Sequence, residues 1–126
     1  EYDYGAPEYR LTPLVAAQMP EILDRGKRLR LKLKKGIAYH PHPELPAGRT
    51  LKAQDFETAF KRLADPRIQS QGFFVVDKKI QGIETFRKAI QSAPTEARAK
   101  VFASTSISGV RVVDDHTLEI SLTDRY

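Results

Sequence analysis

Three histidines, a row of four cations and a cluster of serines with two aspartates are the groups whose types and spacing could do chemistry. His40 and His42 are two residues apart. On an extended chain both imidazoles would point the same way, and with His116 they could share a metal ion. Against that, Pro41 and Pro43 distort the geometry, no cysteine joins the set, and His116 belongs to a separate turn. The residues favour solvated loop histidines and no metal site. Ser104, Ser106, Ser108, Asp114, Asp115 and His116 contain the serine, acid and histidine of a nucleophilic hydrolase. Neither a G-x-S-x-G elbow nor an oxyanion-hole signature accompanies them. Asp114-Asp115 is better explained as turn chemistry, short carboxylates accepting from nearby backbone N–H groups. No catalytic residue, cofactor or enzymatic activity is expected.

The cations Arg28, Arg30, Lys32 and Lys34 could grip phosphates, because strand residues two apart lie about 6.6 Å from one another, near the phosphate repeat along one nucleic-acid strand. Modules specific for nucleic acid also interleave aromatics for stacking, and this row has none. Charges on a solvated sheet face, which also discourage edge-to-edge pairing, are the favoured reading. The alternative is a basic interaction module that binds an acidic protein or nucleic acid through this row.

The row lies in the stretch that organises the rest, Lys27 to His40, KRLRLKLKKGIAYH. Leu29, Leu31 and Leu33 alternate with the cations, and a period of two predicts a strand with one buried face. A helix of about 3.6 residues per turn would scatter those leucines around its circumference. Antiparallel sheets carry such two-faced strands, so neighbouring elements must cover the leucine side.

Composition sets the frame. The chain has 126 residues, 40% hydrophobic and 29% charged, as expected of one globular domain spanning 1–126. No apolar run approaches the roughly 18 residues that would span a bilayer. Without cysteines, disulfides and thiolate chemistry are excluded within the chain, which fits a reducing cytoplasm or a Gram-negative periplasm equally. A net charge of +5 permits an acidic partner, but six of the 21 basic residues fall within Lys27–Lys35 and the others are mixed with acids. The sequence starts at Glu1 rather than Met and stops just after a strand-like run, so a piece of a longer protein is expected.

Residues 1–13, with Tyr2, Tyr4 and Tyr9 among Gly and Pro, read as an extended lead-in that docks its aromatics on something larger. Leu14 to Met19 reads as one helical turn closed by Pro20. Glu21 to Leu23 is a brief strand, and Asp24-Arg25-Gly26 a tight turn completing a hairpin with the leucine strand. The proline-rich residues 41–50 form a loop. A helix is predicted over about 53–64, with Phe56, Ala59, Phe60 and Leu63 as its apolar stripe. Residues 67–79 are a connection with an apolar knot at 73–76. A second helix is predicted over about 83–92 with Ile83, Phe86 and Ile90 inward. The weakly patterned residues 94–106 read as a flexible loop. GVRVV and TLEISL form a second hairpin around Asp114-Asp115-His116. The fold class is α+β: a mainly antiparallel sheet built from two hairpins, with two helices packed on one face.

Read together, these elements resemble the family 5 extracellular solute-binding proteins, the peptide- and nickel-type receptors of ABC importers. Asp24-Arg25-Gly26 followed by RLRLKLKKGIAYH is similar to the family's DG-x-T-Y-T-F-x-L-R-x-G-V-x-F-H. LKAQDFETAFKRLADP is similar to L-T-A-E-D-V-x-x-S-F-x-R-L-x-D-P, and GVRVVDDHTLEISL to G-V-x-x-x-D-D-x-T-v-x-I-x-L. Tyr2, Tyr4, Pro7, Leu11 and Pro13-Leu14 fit the lead-in of one subgroup. Two departures stand out. Lys52 replaces the family Thr that caps the first helix, leaving Asp55 to accept from the Lys52 N–H as half of a capping box. HPHPELPAGR replaces the family's short H-D-G loop.

The resemblance implies a piece of an extracytoplasmic receptor that encloses a short peptide between hinged lobes and delivers it to an ABC permease in the membrane. This piece looks like the smaller inserted domain, held by the remaining lobes of the same chain, with any signal or lipid anchor outside it. It implies a role as scaffold and cleft rim, with Ser70, Gln71, Gly72, Phe73 and Phe74 as the stretch approaching the ligand. An exposed aromatic there could lie along a peptide. The residues themselves leave open the plainer reading, in which Phe73 and Phe74 complete the core. The isolated piece is expected to fold but to bind peptide poorly, since half a pocket lacks enclosure.

Overall fold

The alternating leucines do form a strand. In the computed structural model, which describes residues 2–5, 7–8 and 10–125, β3 (Glu21–Leu23) and β4 (Arg28–Lys32) form one antiparallel hairpin. β5 (Val110–Asp114) and β6 (Thr117–Ser121) form the other. The hairpins join through β4 and β6 into one sheet of order β3-β4-β6-β5. Its register sets Leu29 beside Ile120 and Leu31 beside Leu118. Paired residues share a face, so one side of the sheet is apolar and the other carries Arg28, Arg30, Glu119 and Arg111. The register shift between Val112 and Asp114 is a bulge that opens the second hairpin turn. In the first turn Asp24, Arg25 and Gly26 all take positive φ (49°, 57° and 91°), a conformation that glycine adopts freely.

Three helices supply the other layer. α1 (Ala53–Ala64) starts where expected. Asp55 Oδ2 accepts from the Lys52 N–H at 2.9 Å, and the Ala53 N–H donates to the Asp115 carbonyl at 2.8 Å, which ties the helix start to the β5–β6 turn. Phe56, Phe60 and Leu63 pack against the core as the stripe predicts, but Ala59 is exposed. The stripe is rotated toward Ala53, Lys61 and Ala64, which are buried. Lys61 can join it because its ammonium reaches Glu57 at 3.7 Å and lies about 6 Å from the ring centres of Phe86 and Phe102. α2 (Ile83–Ser92) buries Ile83, Phe86 and Ile90 as its spacing requires.

Two expectations for the chain path are corrected. Residues 94–106 are not a flexible loop: Thr95–Ala97 form a 3-10 turn and α3 spans Arg98–Ser104. Only Val101 and Phe102 of this helix reach the core, too few to make a periodic pattern, and the Phe102 ring meets Phe86 edge-on at 6.0 Å. The Arg98 side chain donates to the Ala93 and Gln91 carbonyls and so fastens α3 to the end of α2. Leu14 to Met19 is not a helical turn either. Ala16 bridges Leu33, with Lys34 N–H donating to Val15 O (2.9 Å) and Ala17 N–H to Lys32 O (2.7 Å), because the backbone of β4 needs partners beyond the short β3. The lead-in is a two-stranded ribbon, β1 (Tyr2–Asp3) against β2 (Arg10–Leu11), with Tyr2 and Tyr4 exposed and their rings 6.4 Å apart. Tyr9 lies outside the described residues.

The class is α+β, with the helices on one side of the sheet. They do not cover that side evenly. α1 packs over β5, and the core gathers Val110, Leu118, Ile80, Ile83, Phe86, Ile90 and Ile107 beneath the helices.

Candidate functional site

The segment after α1 is held by a buried carboxylate. Asp65 accepts from the Arg67 backbone N–H at 2.9 Å and from its guanidinium at 2.6 Å. The Arg67 guanidinium keeps this carboxyl below the usual carboxylate range despite burial. Beyond it, Ser70 Oγ accepts from the Gly72 N–H at 3.3 Å and starts a 3-10 turn over Gln71–Val75. That turn decides what the apolar knot does. Residues three apart share a side in a 3-10 helix, so Phe73 and Val76 face inward while Phe74 and Val75 face out. Phe73 packs against the core with the Arg87 guanidinium 4.6 Å from its ring centre. Phe74 is 75% exposed.

The five residues expected at a ligand therefore stand together but divide by role. Phe73 belongs to the core, Ser70 caps the turn, Gly72 donates to it, and Gln71 and Phe74 meet solvent. Ile68 and Val75, on either side of Ser70–Phe74 in the sequence, are also exposed apolar residues apart from Phe74 itself. Asp55, Thr58, Ala59, Arg62, Leu63, Ile68 and Ser70 line an open groove of about 440 Å³. Ile68 and Val75 were not singled out by sequence reasoning, although the 3-10 period applied to Phe73–Val76 would have placed Val75 beside Phe74. This surface can offer an aromatic plate and an apolar rim to an elongated ligand.

The row of cations differs from the solvated face expected of it. Arg28 pairs with Asp24 at 2.9 Å, Lys32 with Glu21 at 3.1 Å, and Arg30 with Glu21 at 3.3 Å and Glu119 at 2.8 Å. Glu119 is only 4% exposed and also has Arg28 and Arg111 within 3.8 Å. The Arg30 guanidinium beside it holds its carboxyl below the ordinary range. Three of the four cations are thus engaged and half-buried or paired, which weakens the alternative of a phosphate-binding row; Lys34 is exposed.

His40 and His42 lie in the proline-rich loop, which curls around a space of about 600 Å³ between Tyr39 and Arg49. His42 Nδ1 accepts from the Glu44 N–H at 3.2 Å. In the β5–β6 turn, Asp114 Oδ1 accepts from the His116 N–H at 2.8 Å, the turn chemistry expected of that aspartate. Among the described residues no three His, Cys, Asp or Glu side chains are grouped to hold a metal. Ser104 Oγ donates to the Lys100 carbonyl within α3.

The family described as bacterial extracellular solute-binding proteins, family 5 Middle, matches residues 10–126. No curated protein sequence matches the chain. Among solved structures, the substrate-binding domain of an oligopeptide ABC transporter from Bacillus anthracis str. Ames is similar with a TM-score of 0.65 and 26% identity, over 91% of this chain and 18% of that one. Listeria monocytogenes OppA, solved bound to peptide, matches with a TM-score of 0.60 and 19% identity over 91% of this chain and 19% of its own. The Escherichia coli murein tripeptide-binding protein MppA matches with a TM-score of 0.59 and 23% identity over 89% and 18%. The chain spans about a fifth of the length of these structures. With the family match running over nearly all of its residues, through both hairpins and all three helices, the chain belongs to the family 5 bacterial extracellular solute-binding proteins.

Proposed function

We propose that this chain is part of a receptor that captures short peptides outside the cytoplasm and hands them to an ABC permease. In this reading the chain is scaffold, and the Ser70–Phe74 turn is the rim it presents to the ligand cleft. The observation that carries the rim assignment is Phe74. A capped 3-10 turn anchored through Phe73 holds this large apolar ring in water, where it gains nothing for folding. An aromatic held that way costs little entropy when it stacks on a peptide. The Bacillus anthracis neighbour, the substrate-binding domain of an oligopeptide ABC transporter at 26% identity, supports peptide as the cargo class.

The test is a thermal shift of the full-length receptor with a pool of short peptides. Binding at one hundred times the dissociation constant adds about 2.7 kcal/mol of stability, a clear rise in midpoint. Phe74→Ala should leave the unliganded midpoint in place and shrink the shift. Absence of any shift with wild type would withdraw peptide as the cargo. An undiminished shift in the variant would remove Phe74 from the rim.

A further inference from the structure

The rows of residues across the sheet show where this chain is unfinished. Val110, Ile120, Leu29 and Ile22 are successive partners across β5, β6, β4 and β3, and they lie on the face that the helices cover. Burial falls steadily along that row. Val110 is 5% exposed, Ile120 and Leu29 are half-buried, and Ile22 is 72% exposed. On the neighbouring row Leu118 is buried and its partner Leu31 only half-buried. Neither Leu29 nor Leu31 belongs to the packed core, whereas Leu33, one step further along the same face, does.

The reverse face has the opposite character. There Arg28, Arg30 and Lys32 find Asp24, Glu21 and Glu119 within the chain, so these three cations are matched by acids of the same chain. A strand whose charged side is internally matched and whose apolar side is left wet lacks a packing partner on the apolar side only.

We infer that the bare half of the helix-covered face, Ile22 with Leu29 and Leu31, is the surface on which the rest of the receptor polypeptide packs. The occupant is assigned from chain length. The related structures are about five times longer than this chain, and the chain aligns inside them over roughly nine-tenths of its own length. Those other four-fifths are at hand, tethered and at high effective concentration, as no separate partner would be. The inference rests on the receptor reading but concerns a different surface from the ligand rim.

Thiol labelling tests it without any ligand, and the present chain contributes no background because it has no cysteine. In the full-length receptor, Ile22→Cys is reacted with a maleimide in buffer and again in urea. Ile22 is already exposed within the chain, so the substitution should leave folding intact. Labelling of the native receptor at least about tenfold slower than of the unfolded protein, at every protein concentration, is the expected result. Native labelling within about threefold of the unfolded rate would overturn the inference, since such a rate means an open site. Protection that disappears on dilution would overturn it too, by assigning the face to a second copy of the receptor. The labelling outcome is independent of the peptide pool. A protected Ile22→Cys in a receptor that no peptide stabilises would leave this inference standing and retire the peptide reading, and the reverse combination would do the opposite.

Discussion

The two hairpins of the four-stranded sheet share one alternation of apolar and charged residues but occupy different surroundings. β5–β6 lies under the helices, with Val110 and Leu118 buried beneath Ile83, Phe86 and Ile90. β3–β4 carries equally apolar side chains on the same face, and there Ile22 stands in water. The alternation states that a face is meant to be covered; it carries no information about what covers it. Local pattern fixes the strand, and the roof is a tertiary fact. The packing of the helices accounts for the rest of the difference. α1 lies against β5, and α2 packs against α1 and α3.

Removing the roof should therefore produce the largest effect. Phe86 is buried between α1, α2 and α3, touching Phe102 edge-on and the Lys61 ammonium. Phe86→Ala should cost about 3–5 kcal/mol, the range for a large buried ring lost without collapse of the site. Urea unfolding with an unchanged denaturant dependence would measure it. A cost under about 1 kcal/mol would mean that the helices do not close over β5–β6 as described.

The elements with strong periods are legible in the sequence. The bounds of α1 and α2, the two hairpins and the inward set Ile83, Phe86 and Ile90 follow from periods of 3.6 and 2. Half of the capping box at Lys52 and Asp55 was legible as well. α3 was not, because a seven-residue helix with two core contacts has no period to detect. The Ala16–Leu33 bridge escaped for a different reason: single-residue pairing is a demand of the neighbouring strand and leaves no local signature. At the candidate site the adjacency of Ser70 to Phe74 was legible, because they are consecutive. Their division into anchor and plate was not, since it depends on a 3-10 period that four consecutive apolar residues conceal. Nor could Glu119 be singled out as the acid that neutralises Arg30, because strand register across 89 residues decides it.

That acid gives the second comparison between the halves, on the polar face. Arg28 and Arg30 of the first hairpin pair with Glu119 of the second, which Arg111 of its own hairpin also approaches, so this acid welds the two hairpins together. Glu119→Gln keeps the shape and loses the charge; a cost of about 1–3 kcal/mol is expected, limited by the partial exposure of both arginines. The acid limb carries the same information. The folded state holds the Glu119 carboxyl below its unfolded value, so this stabilisation is complete above the ordinary carboxylate range and fades as pH falls through the lower, folded value. Asp65 and Asp55 are shifted the same way, by Arg67 and by Arg49 with the Lys52 N–H, which offset their burial. Stability measured from neutral pH down through the carboxylate range should drop in wild type and drop less in Glu119→Gln. Parallel curves would show that the pair contributes nothing to joining the hairpins.

The smallest expected effect is the sharpest test of the bare half. Ile22→Ser removes most of an apolar side chain from a strand, a change that under a helix would cost several kcal/mol with the buried hydroxyl added. At Ile22 almost three-quarters of the residue already meets water, so little burial is lost. The remaining penalty is the weaker strand preference of serine and a thinner contact with Leu29 across the hairpin, together about 0.5 kcal/mol or less. Urea unfolding of the 126-residue chain should barely separate variant from wild type, while the same substitution in the full-length receptor should separate them clearly. Equal, small effects in both would mean that Ile22 stays in water throughout. A large effect in the chain alone would mean that something within these residues already covers the first hairpin, and the difference between the two halves of the sheet would disappear.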